Sequence, residues 1–478
     1  TALGSGSSAT STDAFAAGVQ SKALAENATS FGTGANASGI DSQALGYFAN
    51  AQSLRGVAVG PYANVKGTDS MALGHNASTT SDQDLAVGTN AIAEGPYATA
   101  IGYQANSYGN ESLAIGVNSL ATGVNAVAIG TGSQANGNNA FAIGVNAVAD
   151  GDESFAFGDS STVTGNATGA LTAGDKALAT GDESSAFGYS SLATQSNAYA
   201  TGTKSRSLGS NAHAMGTFAH ATNTNTLAFG TSAVSRSNNS LALGTKSIAG
   251  TASEAAVAIG EESFAKHNNA LAVGTQSIAN GQNSYASGSG AIAKGTNTIA
   301  IGPGAIAAQI SDSAARKQSR ILSSNGYQDE SGANRRKRVD ADFKDGQNLI
   351  AIGADALALG VEATAMGSDA LASGVQAISL GTASQASSVN SIALGSAAEA
   401  LKRDALAIGT TSIASGHNST SIGLAATATA RNSTALGTDA DSTAESSTAI
   451  GTEATSTAAR STAIGALASA SNSDSYAI

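Results

Sequence analysis

The chain has no cysteine and no tryptophan, only 3 prolines in 478 residues, and 4% aromatic residues. Without cysteine there is no disulfide framework, no thiol nucleophile and no zinc–thiolate site. With so few large side chains, a thick globular core has little to draw on, although a chain of this length would ordinarily form two or three domains. Histidine is scarce as well: His75, His213, His220, His267 and His417 are scattered and form no HExxH or HxH pattern. The calcium nonapeptide of RTX repeats and the six-residue period of acyltransferase β-helices are both missing. Short Gly-x-Gly pieces such as Gly32-Thr33-Gly34 lead into another strand pattern instead of a helix, so they are not phosphate loops. Serine is abundant only as a repeating small residue, which reads as packing or turn bonding. These absences predict no enzyme, no cofactor and no metal.

What the chain does contain is glycine, 57 residues of it, together with much alanine and a strict beat. Glycines that close an apolar pair run from Gly4 to Gly158 at steps of 14; one step of 16 leads to Gly174, and the beat resumes to Gly244. A second step of 16 reaches Gly260 and continues to Gly302; after a gap of 51 the series runs from Gly353 to Gly465. A Gly/Ser/Ala/Asn-rich composition invites disorder, but a disordered segment has no physical reason to keep such a period. Repetition of this kind means units that are stable only when stacked. One solenoid, not several domains, is expected.

Fourteen residues cannot hold two helices with their turns, whereas two strands of about five residues and two tight turns fit. In Ala126-Val127-Ala128-Ile129-Gly130 small and large apolar residues alternate; in Ser133-Gln134-Ala135-Asn136-Gly137 small and polar ones do. Asn125, Asn138, Asn139, Asn146, Asp150 and Asp152 fall where the chain must reverse. Each unit is therefore a two-strand coil.

The two strands differ. The second carries polar or charged residues at alternate positions, as in Ser235-Arg236-Ser237, so one of its faces is read as wet, with Ile248 and Ile278 as apolar exceptions. The first is apolar on both sides: Leu113-Ala114-Ile115, Val127-Ala128-Ile129, Phe141-Ala142-Ile143, Phe155-Ala156-Phe157, Leu241-Ala242-Leu243 and Leu406-Ala407-Ile408. One of its faces packs inside the roll. The other, left bare, would form an apolar stripe far larger than a soluble monomer exposes, so another copy of the chain must cover it. Which of the two apolar sets points outward is left open by the pattern, with a leaning towards the larger residues filling the wider space. The packing residues are thus Leu113, Ile115, Val127, Ile129, Phe141, Ile143, Leu241, Leu243, Leu406 and Ile408.

The units Asn239-Ser240-Leu241-Ala242-Leu243-Gly244-Thr245-Lys246-Ser247, Asn390-Ser391-Ile392-Ala393-Leu394-Gly395 and Glu111-Ser112-Leu113-Ala114-Ile115-Gly116-Val117-Asn118-Ser119 resemble the repeat of the YadA-like heads of trimeric autotransporter adhesins. The resemblance covers nearly the whole chain outside the long gap. It implies an all-β, left-handed parallel β-roll solenoid of 14-residue coils, a homotrimer, and display on the surface of a Gram-negative bacterium. Handedness and the number three come from the resemblance alone; the general preference for right-handed crossovers would suggest the opposite hand. Roughly thirty coils at about 4.8 Å each would give a rod on the order of 150 Å. No signal peptide, transmembrane strand or lipidation motif is evident, and Thr1 and Ile478 fall within repeat units. The expectation is a piece of a longer fibre held to the outer membrane by a C-terminal anchor elsewhere.

The expected organisation is head repeats over 1–307, a charged insertion over 308–348, and head repeats again over 349–478. Residues 308–347 hold 8 of the 22 Lys and Arg and are net +2, against −14 for the rest. Subtracting one unit from the gap of 51 leaves 37 inserted residues. The segment reads as a solvated loop, or as a basic collar in which Arg316, Lys317, Arg320, Arg335, Arg336, Lys337 and Arg338 hold an acidic partner such as a sulfated glycan. Nucleic acid is not expected, because no aromatic platform accompanies the charges and the chain as a whole is acidic. His213 stands in a slot usually filled by Val, Leu, Phe or Ile; three copies meeting on an axis could hold an ion, the plainer reading being a tolerated polar residue.

Function then divides in two. One reading is an adhesin head contributing to virulence, bound by multivalent contacts to host matrix proteins, surface glycans or other surfaces. The resemblance implies collagen, laminin or fibronectin as partners; the motif linked with collagen is complete at Asn239 to Ser247, but many units replace its first Ser by Ala or Thr. The other reading is a structural spacer or an ice-binding solenoid. A threonine column exists only at Thr420, Thr434, Thr448 and Thr462, in the slot of the large apolar residues, where it reads as changed packing.

Overall fold

The computed structural model describes residues 1–165, 167–251, 255–310 and 343–478. They form two units, Thr1–Thr222 and Asn223–Ile478. Each is a parallel β-solenoid built from two sheets that alternate along the chain, with one coil for each glycine of the series.

One coil explains the rest. Val127–Ile129 is the first strand, Gln134–Ala135 the second, and Phe141–Ile143 opens the next coil. Val127 lies beside Phe141, Ala128 beside Ala142 and Ile129 beside Ile143; Gln134 and Ala135 lie beside Val148 and Ala149. Like therefore stacks on like, one coil apart, and the chain's own repeat writes the register. Both strands are shorter than expected, because the two turns take up most of the coil. Those turns hold left-handed residues, and Asn and Asp are only part of the set: Phe48, Tyr62, Tyr97 and Phe218 also adopt φ of 52° to 64°.

The interior settles which apolar set points where. Ala126, Ala128, Ser133 and Ala135 have no exposed surface, whereas Val127 and Ile129 are half-buried on the outside of the roll. Two sheets this close leave room for little more than a methyl group, so alanine fills the core throughout. Serine shares its slots, as at Ser107 and Ser235, and larger residues take its place at scattered coils, Val65, Thr79, Val163, Thr172 and Leu349 among them. The first turns also stack closely, coil on coil: Gly130 has φ 134°, and a Cβ there would lie 2.3 Å from the carbonyl oxygen of Gly144 in the next coil.

All departures from the regular step fall in the second turn, between a second strand and the following first strand. Phe155 pairs with Leu171 and Leu241 with Val257, each partner lying later in the chain than the regular beat would place it. Ile299 pairs with Ile350 and Ile306 with Leu357, and Gly295 lies beside Gly346. The long insertion thus runs from 309 to 345, and Gln309 faces Lys344 in an antiparallel pair at its base. The first turn always carries glycine in the series, whereas Ser53, Gln195 and Lys402 occupy the matching place of the second turn. The turn that accepts residues other than glycine at this place is also the one that accepts insertions.

The wet face of the second strand needs a correction in the second unit. Ile248 and Ile278 are not isolated exceptions: Val234, Ile248, Phe264, Ile278, Ile292, Ile306, Leu357 and Leu371 are successive neighbours on its outward side. Ile278, Ile292, Ile306 and Leu357 are buried and join Ala308 and Leu359 in a cluster of their own. Apolar residues stacked at every coil gain from their neighbours along the sheet, a gain that a single unit read alone does not reveal.

Candidate functional site

Two outward surfaces could carry function. The first is the outer face of the first-strand sheet. Leu113, Val127 and Phe141 form one row there, and Ile115, Ile129 and Ile143 the other, all half-buried. Phe141 stacks on Phe155, with ring centroids 5.0 Å apart. In the second unit Leu241 is half-buried and Leu243 exposed at 44%, while Leu406 and Ile408 continue the same pattern. Thr420, Thr434, Thr448 and Thr462 succeed Leu406 in its row, so they face outward too and are not in the chain's own core. The single roll covers none of these rows fully.

The second surface is the outer face of the second-strand sheet in the first unit. Grooves there are shaped by residues at the first turn and along the second strand. One, of about 830 Å³, is lined by Gly6, Gln20, Gly34 and Phe48 on the turn side and by Lys22, Asn36, Asn50 and Gln52 on the strand side. Asn36 donates to Asn50 at 2.9 Å, and Asn50 to Asn64 at 3.0 Å, which makes a ladder of amides along the floor. Asn36 Oδ1 is buried and accepts no hydrogen bond. Beside this groove stands an aromatic cluster: Phe48 and Tyr62 lie near parallel with centroids 6.0 Å apart, Tyr47 meets both edge-on, and His75 meets Tyr62 at 5.9 Å. Tyr47, Phe48 and Tyr62 are each exposed by nearly half. Desolvation by its neighbours pushes the Tyr62 phenol above its ordinary range. The sequence reading passed over this cluster, although its signal was visible: Phe48 and Tyr62 stand two residues past Gly46 and Gly60, where Asn76, Asn90 and Asn118 stand in later coils.

The remaining expected residues are placed as follows. Arg316, Lys317, Arg320, Arg335, Arg336, Lys337 and Arg338 lie outside the described residues. His213 is half-buried in the first-strand row and stacks on Tyr199 at 5.7 Å. Among the described residues no three His, Cys, Asp or Glu side chains gather in a way that could hold a metal. One titratable group was missed altogether. Asp84 takes a place held by Ser70 and Ser112 in other coils and is only 2% exposed. Its carboxylate accepts from the backbone N–H of Ser81 at 2.8 Å and of Ala98 at 3.1 Å. Burial outweighs these bonds and pushes its pKa up to about 6.

The repeat that places these surfaces also matches a known family. The model of the YadA head domain repeat (2 copies) matches sixteen stretches, from 9–35 to 442–468, with 162–178 and 306–345 among the tracts left unmatched. The chain belongs to the YadA head family. A search of curated proteins gave no match. YadA heads are structural adhesin modules, not enzymes, and proteins of the family are homotrimeric and displayed at the cell surface as autotransporters. Membership gives this chain an adhesin-type head built of parallel coils. It also gives the half-covered first-strand face a meaning that one chain alone could not.

Proposed function

We propose that this chain is the head of a homotrimeric adhesin that attaches a Gram-negative bacterium to host matrix or other surfaces through many shallow contacts. The observation that carries the reading is the pair of apolar rows, Leu113–Val127–Phe141 and Ile115–Ile129–Ile143, outside a core that alanine has already filled. Three rolls of the left-handed form found in the family would turn these rows inward against one another. Each half-covered Leu, Ile or Phe would then contribute some of the ~1.5–3 kcal/mol available on full burial. The second-strand faces would remain outward, repeated three times, and multivalency would offset weak single contacts. A spacer without a ligand is the less favoured reading, since a pure rod has no use for an exposed aromatic cluster.

Sedimentation of the purified chain tests the assembly: a trimer is expected, and a well-folded monomer would overturn it. Solid-phase binding of that trimer to collagen, laminin, fibronectin and heparin tests attachment. Repeating it without residues 309–345, the basic tract included, assigns that tract's part: a loss confined to heparin supports the collar, and an unchanged panel refutes it. Binding to none of these surfaces would leave the spacer reading in its place.

A further inference from the structure

We infer that the groove of the first unit between Gly6 and Gln52 is a binding site for a neutral oligosaccharide. The inference deepens the adhesin reading by naming a ligand class and a place.

The chemistry begins with Phe48. The ring stands at φ 52°, a left-handed conformation that strains a bulky L-residue and that Gly or Asn would adopt more easily. Gly34, one coil earlier, makes room for it: a Cβ on Gly34 would lie 2.6 Å from the Phe48 ring. The left-handed turn itself is common to the coils and is filled by many residue types, Arg55, Lys176 and Ala255 among them; what is particular here is an aromatic ring in that place with Gly34 leaving space for it. Tyr62 repeats the same strained placement at φ 58° and backs the ring. The result is a supported aromatic wall in a protein almost devoid of aromatics.

Next to the wall lie Gln20, Asn36, Asn50 and Gln52. Carboxamides offer a donor and an acceptor side by side, which suits the adjacent hydroxyls of a sugar ring. The ring's apolar C–H face suits the aromatic wall. Asn36 Oδ1 lacks a donor; a hydroxyl that reached it, with the flexible Lys22 side chain swung aside, would supply the bond that a buried acceptor otherwise forfeits. Lys22 is the single charged residue of the lining and no acid lies in it, so a neutral sugar meets no repulsion. With coils about 4.8 Å apart, the four that carry Gly6 to Phe48 offer about 14 Å of groove, room for a short oligomer and not only one ring. A polypeptide fits less well. The backbone groups of this sheet are spent on neighbouring coils, so no edge is open for an added strand. A polyproline helix prefers grooves walled by aromatics more than floored by amides.

The test is saturation-transfer NMR on the full chain with cellotriose, maltotriose and chitotriose as probes and decaproline as the peptide control. Transfer to ring protons of at least one trisaccharide is expected, with none to decaproline. In Phe48→Asn, which places the residue of Asn76 and Asn90 at this turn and so keeps the fold, the dissociation constant should rise at least fivefold. Circular dichroism checks that the variant retains its β signal. Three results would each overturn the proposal: no transfer to any trisaccharide, equal affinity in wild type and Phe48→Asn, or decaproline binding alone. Attachment to matrix proteins is measured separately on the same trimer, so a failed sugar site leaves the adhesin reading standing, and failed attachment leaves the sugar result readable.

Discussion

Asp84 gives the sharpest prediction, because it sets a charge inside an alanine core. Its carboxyl, ordinarily at 3.8, is pushed up to about 6, chiefly by burial, with a further push from Asp82. The folded state therefore holds the proton between pH 4 and pH 6 while the unfolded chain releases it. A folded state that binds more protons loses stability as pH rises through that window. At about 1.4 kcal/mol per pH unit the full effect is about 3 kcal/mol, complete above pH 6. Asp84→Ser removes it and restores the residue type of other coils, such as the one where Ser112 Oγ donates to the carbonyl of Gly109 at 2.6 Å. The variant forfeits the carboxylate's two backbone bonds, worth about 1 kcal/mol each, although Ala98 N–H also reaches the carbonyl of Gly95 at 2.8 Å. A net gain of about 1–2 kcal/mol at pH 7 is expected from these two magnitudes. Because solenoids open locally, the assay is hydrogen exchange of peptides covering 70–98, corrected for intrinsic rates. At pH 4, where wild type keeps its proton and only the lost bonds count, the variant should be the less protected of the two, and the order should reverse towards pH 7. A difference that stays constant from pH 4 to 7, or that favours wild type increasingly as pH rises, would refute the reasoning.

Three further outcomes follow from the same structure. Gly130→Ala drives a methyl group to within 2.3 Å of the Gly144 carbonyl oxygen at φ 134° and should lower local protection of the two coils by about 2–3 kcal/mol, read by hydrogen exchange; wild-type protection would contradict the close stacking of the turns. Asn283 accepts from Asn269 and donates to Asn297, both at 3.1 Å, while holding φ 54°; Asn283→Ala should cost about 1–2 kcal/mol in the same measurement, and Asn283→Gly less of the backbone part. Ile115→Lys with Ile129→Lys places charges on the outer first-strand face, where burying them unpaired costs several kcal/mol; sedimentation should show trimer loss with the β-type circular dichroism kept, whereas an intact trimer would place the subunit interface elsewhere.

Much of the fold was legible because the repeat states it many times over. The regular glycine beat, alternation within Val127-Ala128-Ile129, and polar residues such as Gln134 opposite them fix a two-strand coil before any coordinate is known, since stacked identical units admit one register. The site was less legible. Phe48 and Tyr62 are ordinary residues in composition; what distinguishes them is the space above Gly34 and the amide floor of Asn36 and Asn50, which come together only when coils stack. Asp84 likewise reads as one more turn acid until its two neighbouring coils close over it. The run from Val234 to Leu371 looked like two exceptions because each member is at least a whole coil from the next along the chain, and adjacent to it only in the sheet.

The sequence by itself determined the period, the strand content and the two apolar sides of the first strand, because periodicity and alternation are properties of the chain read in order. Only the tertiary structure decided that alanine is the inner set and Leu, Ile, Val and Phe the outer one. The reason is the narrow interior of the roll: closed in by the two sheets, its slots hold alanine or serine at most coils and a larger side chain such as Val65, Val163 or Leu349 only at a few.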